Sequence, residues 1–175
     1  MEQAIFKQKL EMRKLTNIKT VGVISDTHGY GIEKALEHFK KIKPNLIIHA
    51  GDIGNIETIK ELEKIAPVIA VHGNMDKGPV RELFQPKEVI QLNNFKIGIT
   101  HGYGAQLGLE ERVRLKFDEK VDCIIFGHSH KPVNELINNT LFFNPGSATD
   151  TVFAQFNSIG ILIVNDKIEG EIIKI

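Results

Sequence analysis

Five short segments hold most of the residues able to do chemistry in this sequence: Asp26-x-His28, Gly51-Asp52, Gly73-Asn74, His101-Gly102 and Gly127-His128-x-His130. Each closes or follows an apolar run: TVGVIS, NLIIHA, PVIAVH, KIGIT and VDCIIF. The successive steps Asp26 to Asp52, Asp52 to Asn74, Asn74 to His101 and His101 to His128 are 26, 22, 27 and 27 residues, most of them about the length of one strand plus one helix. In an open α/β sheet, sites assemble beyond the carboxyl ends of strands, so loops spaced in this way can meet at one rim. Carboxylate oxygens, an amide oxygen and imidazole nitrogens together suit hard to borderline divalent cations such as manganese, iron, zinc, cobalt or nickel. Seven ligands exceed one tetrahedral site. With Asp52 shared they form two half-sites of four, and two cations about 3.5–4 Å apart can activate water and clamp a phosphoryl group. The histidines of GHSH, one residue apart, would face the same way on a continuing strand. The neighbouring glycines let loop backbone pass close to the cations and take φ > 0.

Other polar residues invite blander readings. His49, just before Gly51-Asp52, either orients a ligand or packs in the core, and His72 reads as structural or as pocket rim. His38 and the run EERVRLKFDEK (110–120) suit solvated helix faces, the latter with ion pairs rather than a nucleic-acid patch. Tyr30 and Tyr103 are surface-loop tyrosines by default that could line a pocket, and Cys123 reads as a buried apolar residue.

Elements that could position these loops alternate along the chain. From residue 20, β-rich runs at 20–25, 45–50 and 67–72 alternate with helices near 31–42 and 55–65, the second N-capped by Asn55. After the polar loop GNMDKGP come a hairpin turning at Asn93-Asn94, a charged helix near 105–118 and the strand VDCIIFG. Two further hairpins turn at Asn138-Asn139 and Asn165-Asp166. The expected architecture is two packed sheets with helices on their outer faces. Residues 1–19, with loose helical spacing at Ile5, Leu10 and Leu15, read as an N-terminal extension to a single domain over 20–175.

Composition narrows the function classes. The 175 residues are 42% apolar, enough for a real core, and 22 basic side chains balance 22 acidic ones. No general positive field exists to hold nucleic acid or an anionic membrane. No apolar run approaches membrane-spanning length, and the first residues lack the apolar centre of a secretory signal. A single cysteine excludes an internal disulfide and thiolate metal clusters, which suits the cytoplasm.

The five motifs, with the surroundings IIHAGD at 47–52 and NPGS at 144–147, resemble the calcineurin-like metallophosphoesterase family, and in particular its small single-domain phosphodiesterases. The resemblance covers residues 20–175 and implies a four-layer α/β sandwich, two mixed β-sheets flanked by helices. It implies one metal on Asp26, His28, Asp52 and His130 and another on Asp52, Asn74, His101 and His128, with manganese the expected ion. Asp52, Asn74 and His101 would be catalytic, and a hydroxide bridging the metals would attack phosphorus in line. Where larger relatives carry a histidine after the G-N asparagine, Met75 stands here, so the general acid is unassigned; Asp76 is the nearest candidate, though Asp in such a loop commonly caps a turn. The substrate would be a small phosphoester in a fairly open site, and relatives of this size suggest a homodimer or homotetramer. Two alternatives follow from the same resemblance. One is a metal-stabilised, non-catalytic scaffold like the retromer subunit of this fold. The other, a DNA-repair nuclease, is poorly served by the chain's length and charge.

Overall fold

The computed structural model describes residues 12–175. Alternation within β2 (Thr20–Ile24) divides its neighbourhood in two: Val21 and Val23 join one apolar cluster, Ile24 another. Strand β2 pairs in parallel with β3 (Leu46–His49), which pairs in parallel with β4 (Val68–Ala70). The hairpin of β10 (Ser158–Val164) and β11 (Ile168–Lys174) adds antiparallel to β2, giving a sheet ordered β11-β10-β2-β3-β4.

The second sheet begins at its edge with β1 (Arg13–Leu15) and runs β1-β5-β6-β7-β9-β8. Its hairpin of β5 (Lys87–Leu92) and β6 (Phe95–Thr100) is followed in parallel by β7 (Cys123–Ile125) and β9 (Thr140–Asn144), with β8 (Val133–Ile137) antiparallel at the edge. Both sheets are therefore mixed. Between them lie Val21, Val23, Leu46 and Ile48 from the first and Ile97, Ile99, Ile125 and Phe143 from the second, all nearly or fully buried. Burying each such side chain contributes about 1.5–3 kcal/mol, which makes this layer the main source of stability.

The outer faces carry the helices. Helix α1 (Glu33–Ile42) lays Phe39 on Gly22, where a Cβ would come within 2.7 Å of the ring, and α2 (Ile56–Glu63) buries Leu62 beside it. As expected, Asn55 caps α2, its side chain accepting Thr58 N–H at 3.0 Å. Across the molecule α4 (Leu109–Arg114) and Phe117 cover the second sheet, with Phe117 against Gly98. This is the four-layer sandwich of the sequence reading.

Three details differ from that reading. Helix α3 (Gly78–Leu83) interrupts what reads as a polar loop; Pro79 in its first turn supplies a pre-set φ and needs no hydrogen-bond partner. The charged helix near 105–118 is confined to 109–114, because Gly104 and Gly108 take φ of 81° and 73°. Arg13–Leu15 form β1, paired in parallel with Ile90–Leu92, so this part of the expected extension belongs to the sheet and Leu15 lies in a strand. Ile5 and Leu10 fall outside the described residues.

Candidate metal centre

Strands β2, β3, β4, β6 and β7 all send their carboxyl ends to one edge of the sandwich, where the two sheets meet. All seven candidate residues lie in the loops that follow. Asp26, Asp52 and His101 form a buried floor, while His28, Asn74, His128 and His130 rise to a more exposed rim. Ligand-type atoms of Asp26, Asp52 and His101 lie within 4.8 Å of one another, as do those of Asp26, His28 and His130. Asn74 and His128 complete the group, with His128 Nδ1 3.1 Å from Asn74 Oδ1 and the His128 ring edge-on to His101 at 5.4 Å. The expected openness holds for the rim only.

Outward-facing hydrogen bonds leave the inward-facing atoms free. Asp26 Oδ2 accepts from Ser25 Oγ at 2.7 Å and from His128 N–H at 3.1 Å, so Oδ1 faces His130 Nε2 at 3.1 Å and His101 Nε2 at 3.7 Å. Asp52 Oδ1 accepts Met75 N–H at 2.8 Å, and its Oδ2 lies 3.2 Å from His101 Nε2. His101 Nδ1–H donates to Ala50 O at 2.8 Å, His128 Nε2–H to Gly104 O at 2.8 Å, and His130 Nδ1–H to Asp150. In neutral rings these bonds leave the other nitrogens as acceptors pointing at acceptors. The buried atoms Asp26 Oδ1 and His101 Nε2 have no hydrogen-bond partner. Each unmet buried acceptor costs about 1–3 kcal/mol, a cost a divalent cation removes from several atoms at once. The residues therefore fit a cation centre.

Without a cation, protons take part of that role. Burial works against a charged His101, yet Asp26 and Asp52 beside it hold its pKa up at about 9. The adjacent Asp26 carboxylate raises His130 to about 9, against burial and with help from Asp150. Burial opposes ionisation of Asp26 and Asp52, but the histidines hold both carboxyls below their ordinary range.

The loops are strained. Asp26, His28, Asp52, His128 and His130 all take left-handed φ between 50° and 69°. At about 1–2 kcal/mol each, the total rivals the roughly 5–15 kcal/mol net stability of a typical domain, so the inter-sheet core must offset it. Of the four flanking glycines, Gly51 and Gly102 have φ of 94° and 98°, as the sequence reading expects. Gly73 and Gly127 are there for room instead: a Cβ would overlap Asp52 Oδ1 at the first and Ser25 Oγ at the second.

Several supporting residues escape sequence reasoning. Asp150 accepts from His130 and from the N–H groups of Val152, Phe153 and Ala154. Ser147 Oγ, in the NPGS turn, donates to Asp26 O at 2.8 Å, and Asn144 Nδ2 donates to Gly127 O at 2.8 Å. Buried Asp76 accepts from Ile53 N–H, Gly54 N–H and Gly73 N–H at 3.1, 2.8 and 2.8 Å. It ties two ligand loops together, which removes it as a general acid. His49 is fully buried, bonded to Thr27 Oγ1 at 2.9 Å and accepting Gly51 N–H, and burial pushes its pKa down to about 4. It stays neutral and joins two ligand loops. Cys123 is buried, as expected.

Two cavities flank the group and share Asn74. One, about 400 Å³, is bordered by Tyr30, Met75, Val152 and Phe153; the other, about 310 Å³, by His72, Arg81, Tyr103 and Lys116. Tyr30 and Tyr103 thus line pockets, and His72 lies at a rim. A larger cavity of about 440 Å³ beside α4 holds none of the seven residues, so chemistry rather than size identifies the site.

Comparison with known proteins gives a consistent picture. The model of the calcineurin-like phosphoesterase superfamily domain matches residues 20–167. A protein of Methanocaldococcus jannaschii named as a probable metallophosphoesterase is 37% identical over 163 residues, covering 89% of this chain and 81% of its own. Among solved structures, an archaeal phosphodiesterase superposes with a TM-score of 0.73 at 30% identity, over 89% of this chain and 99% of that one. Zinc-bound Vps29 from Entamoeba histolytica superposes with a TM-score of 0.69 at 25% identity, over 89% and 98%.

Proposed function

Because the chain belongs to the calcineurin-like phosphoesterase superfamily, we propose that it is a metal-dependent phosphoesterase hydrolysing small phosphodiesters, with Asp26, His28, Asp52, Asn74, His101, His128 and His130 as the metal ligands. The observation that carries this reading is the convergence of unpartnered acceptors, Asp26 Oδ1 and His101 Nε2, on the space enclosed by the other ligand-type atoms. Asp52, with Oδ1 held by Met75 N–H and Oδ2 beside His101, would be the ligand shared by both half-sites. Two bound cations would lower the pKa of water held between them and neutralise charge growing on the phosphoryl oxygens. Manganese suits the mixed oxygen and nitrogen donors.

The chain's own residues do the rest. Asp150, Ala50 O and Gly104 O fix the ring orientation of His130, His101 and His128, so the donor set needs little rearrangement when substrate arrives. A diester is favoured over a monoester because two cavities diverge from Asn74, one for each ester arm. Neither residue after Asn74 is suited to protonate the leaving group: Met75 has no acidic proton, and Asp76 accepts from three backbone donors. Good leaving groups should therefore be preferred. A cytoplasmic location fits the single buried cysteine.

The test is hydrolysis of bis(p-nitrophenyl) phosphate by purified protein with manganese, with chelator, and by Asp52→Ala. Cleavage that needs the metal and vanishes in the variant supports the proposal; none by the metal-loaded wild type, on diester or monoester, rejects it. The likeness to Vps29 favours a second reading, a metal-stabilised scaffold. Two metals bound by the wild type without turnover, together with a complex from native lysate that survives His101→Ala, would select it.

A further inference from the structure

The two cavities flanking the metal centre differ in charge. The cavity reached past Asn74 and His101 presents Arg81 and Lys116 and has no carboxylate in its lining. Lys116 Nζ stands 4.5 Å from the centroid of the Tyr103 ring, and Arg112 Cζ lies 5.9 Å from the same centroid. Arg112 donates to the carbonyls of Tyr103, Ala105 and Leu107 and so fixes the loop that presents Tyr103. Some surface cations are matched, Lys60 with Glu57, Lys64 with Glu61, Lys96 with Glu119 and Arg114 with Glu111, whereas Lys87 donates to the Lys116 carbonyl instead of a carboxylate. Among the described residues, no carboxylate lies within ion-pair distance of Arg81, Arg112 or Lys116. Arg81 and Lys116 thus line one cavity beside the candidate metal centre with no carboxylate to offset them.

Resting on the phosphodiesterase reading, we propose that this cavity binds a second phosphate, so that the substrate is a phosphodiester of which one arm carries a further phosphate group. Arg81 offers a planar fork that matches phosphate oxygens, Lys116 adds a mobile point charge, and the Tyr103 ring keeps Lys116 at the cavity mouth. The opposite cavity, bordered by the exposed apolar side chains of Met75, Val152 and Phe153, takes the uncharged arm. A volume of about 310 Å³ is at the small end of ligand pockets.

The probes are adenosine 5′-monophosphate and adenosine 3′,5′-bisphosphate, used as competitive inhibitors of bis(p-nitrophenyl) phosphate hydrolysis by the manganese-loaded full chain. The bisphosphate should inhibit about ten-fold more tightly or better, the worth of charge-assisted bonds to one added phosphate. In the double variant Arg81→Ala, Lys116→Ala the ratio of the two inhibition constants should fall to near unity. Equal inhibition in the wild type, or a preference that survives the double variant, overturns the proposal. Short single-stranded DNA that inhibits more tightly than the bisphosphate, and loses this in the same variant, would reassign the cations to a nucleic-acid backbone and overturn it too. Failure of the wild type to cleave any diester sinks the phosphodiesterase reading instead; bisphosphate preference would then be read directly by calorimetry.

Discussion

Asp150 accepts the Nδ1 proton of His130 and, through the same carboxylate, the backbone N–H groups of Val152, Phe153 and Ala154. One side chain therefore sets the tautomer of a candidate ligand and the shape of the loop that borders the apolar cavity. Burial opposes its charge, but these N–H donors and His130 hold the carboxyl down at about 2, so it is ionised at neutral pH. Asp150→Asn removes the charge that makes His130 Nε2 a stronger donor to a cation. Manganese affinity measured by calorimetry should fall about 10- to 100-fold, as is common when such a partner of a metal-bound histidine is lost. Turnover should recover at saturating metal. Unchanged affinity would show that the contact does not support the ligand.

Metal and protons compete for the same atoms. His101 and His130, held up near 9, carry protons at pH 7 in the metal-free protein, and ligation must expel them. Apparent metal affinity should rise from pH 7 to about 9 and then level off, and calorimetry in buffers of different ionisation heat should detect proton release. For stability, the sign runs the other way. Pairing of these raised groups stabilises the metal-free fold fully below their unfolded value of about 6.5 and is lost as pH rises through about 9. Chelated protein should thus weaken to denaturant over that window, more than loaded protein. Absence of proton release at pH 7 would contradict the assignment.

Much of this site is legible in the sequence because parallel strands impose a rhythm. Asp26, Asp52 and Asn74, and again His101 and His128, recur at strand-plus-helix intervals, while Asn74 to His101 spans a helix and a hairpin of similar length; all follow strands that end at the same edge. Asp150 has no such rhythm: it follows the β9 strand and a turn, and meets His130 only through tertiary folding. Asp76 reads as a turn residue because its role, joining Gly73 to Ile53 and Gly54, is visible only once two loops are adjacent. Strand β1 is hidden for another reason. Three residues at a sheet edge, two of them exposed and basic, carry no alternation long enough to read. Left-handed φ at Asp26, His28, Asp52, His128 and His130 is likewise unreadable, since the usual signal for it is glycine.

Gly73 separates room from flexibility. Its φ is ordinary, yet a Cβ there would overlap Asp52 Oδ1 and come within 2.7 Å of Asp52 Cγ. Gly73→Ala must displace the Asp52 carboxylate and the Asp52 backbone nitrogen, 2.4 Å from the added Cβ. A shift of about 1 Å at a reacting centre commonly costs about 10²-fold in rate, and that loss is expected even with saturating manganese. Circular dichroism should stay near native, because the backbone that must shift lies in a loop outside the strands and helices. Full activity in this variant would mean that Asp52 does not work from the position seen here.

Asp76 offers the sharpest division between a chemical and a structural role. It is 1% exposed and accepts three backbone N–H groups from the loops that carry Asp52 and Asn74. Asp76→Asn keeps the shape but replaces one acceptor oxygen with an NH₂ group that must face a backbone donor. A buried donor left without an acceptor costs about 1–3 kcal/mol, so a fall in unfolding free energy of that order is expected from denaturant titration. Rates should drop by one common factor for diesters of p-nitrophenol and of a simple alcohol, because misplacing the ligand loops slows both reactions alike. A general acid behaves otherwise: its loss barely affects p-nitrophenol, which leaves readily as an anion, and severely slows the alcohol. A selective loss on the alkyl ester, with stability unchanged, would restore Asp76 to the chemistry.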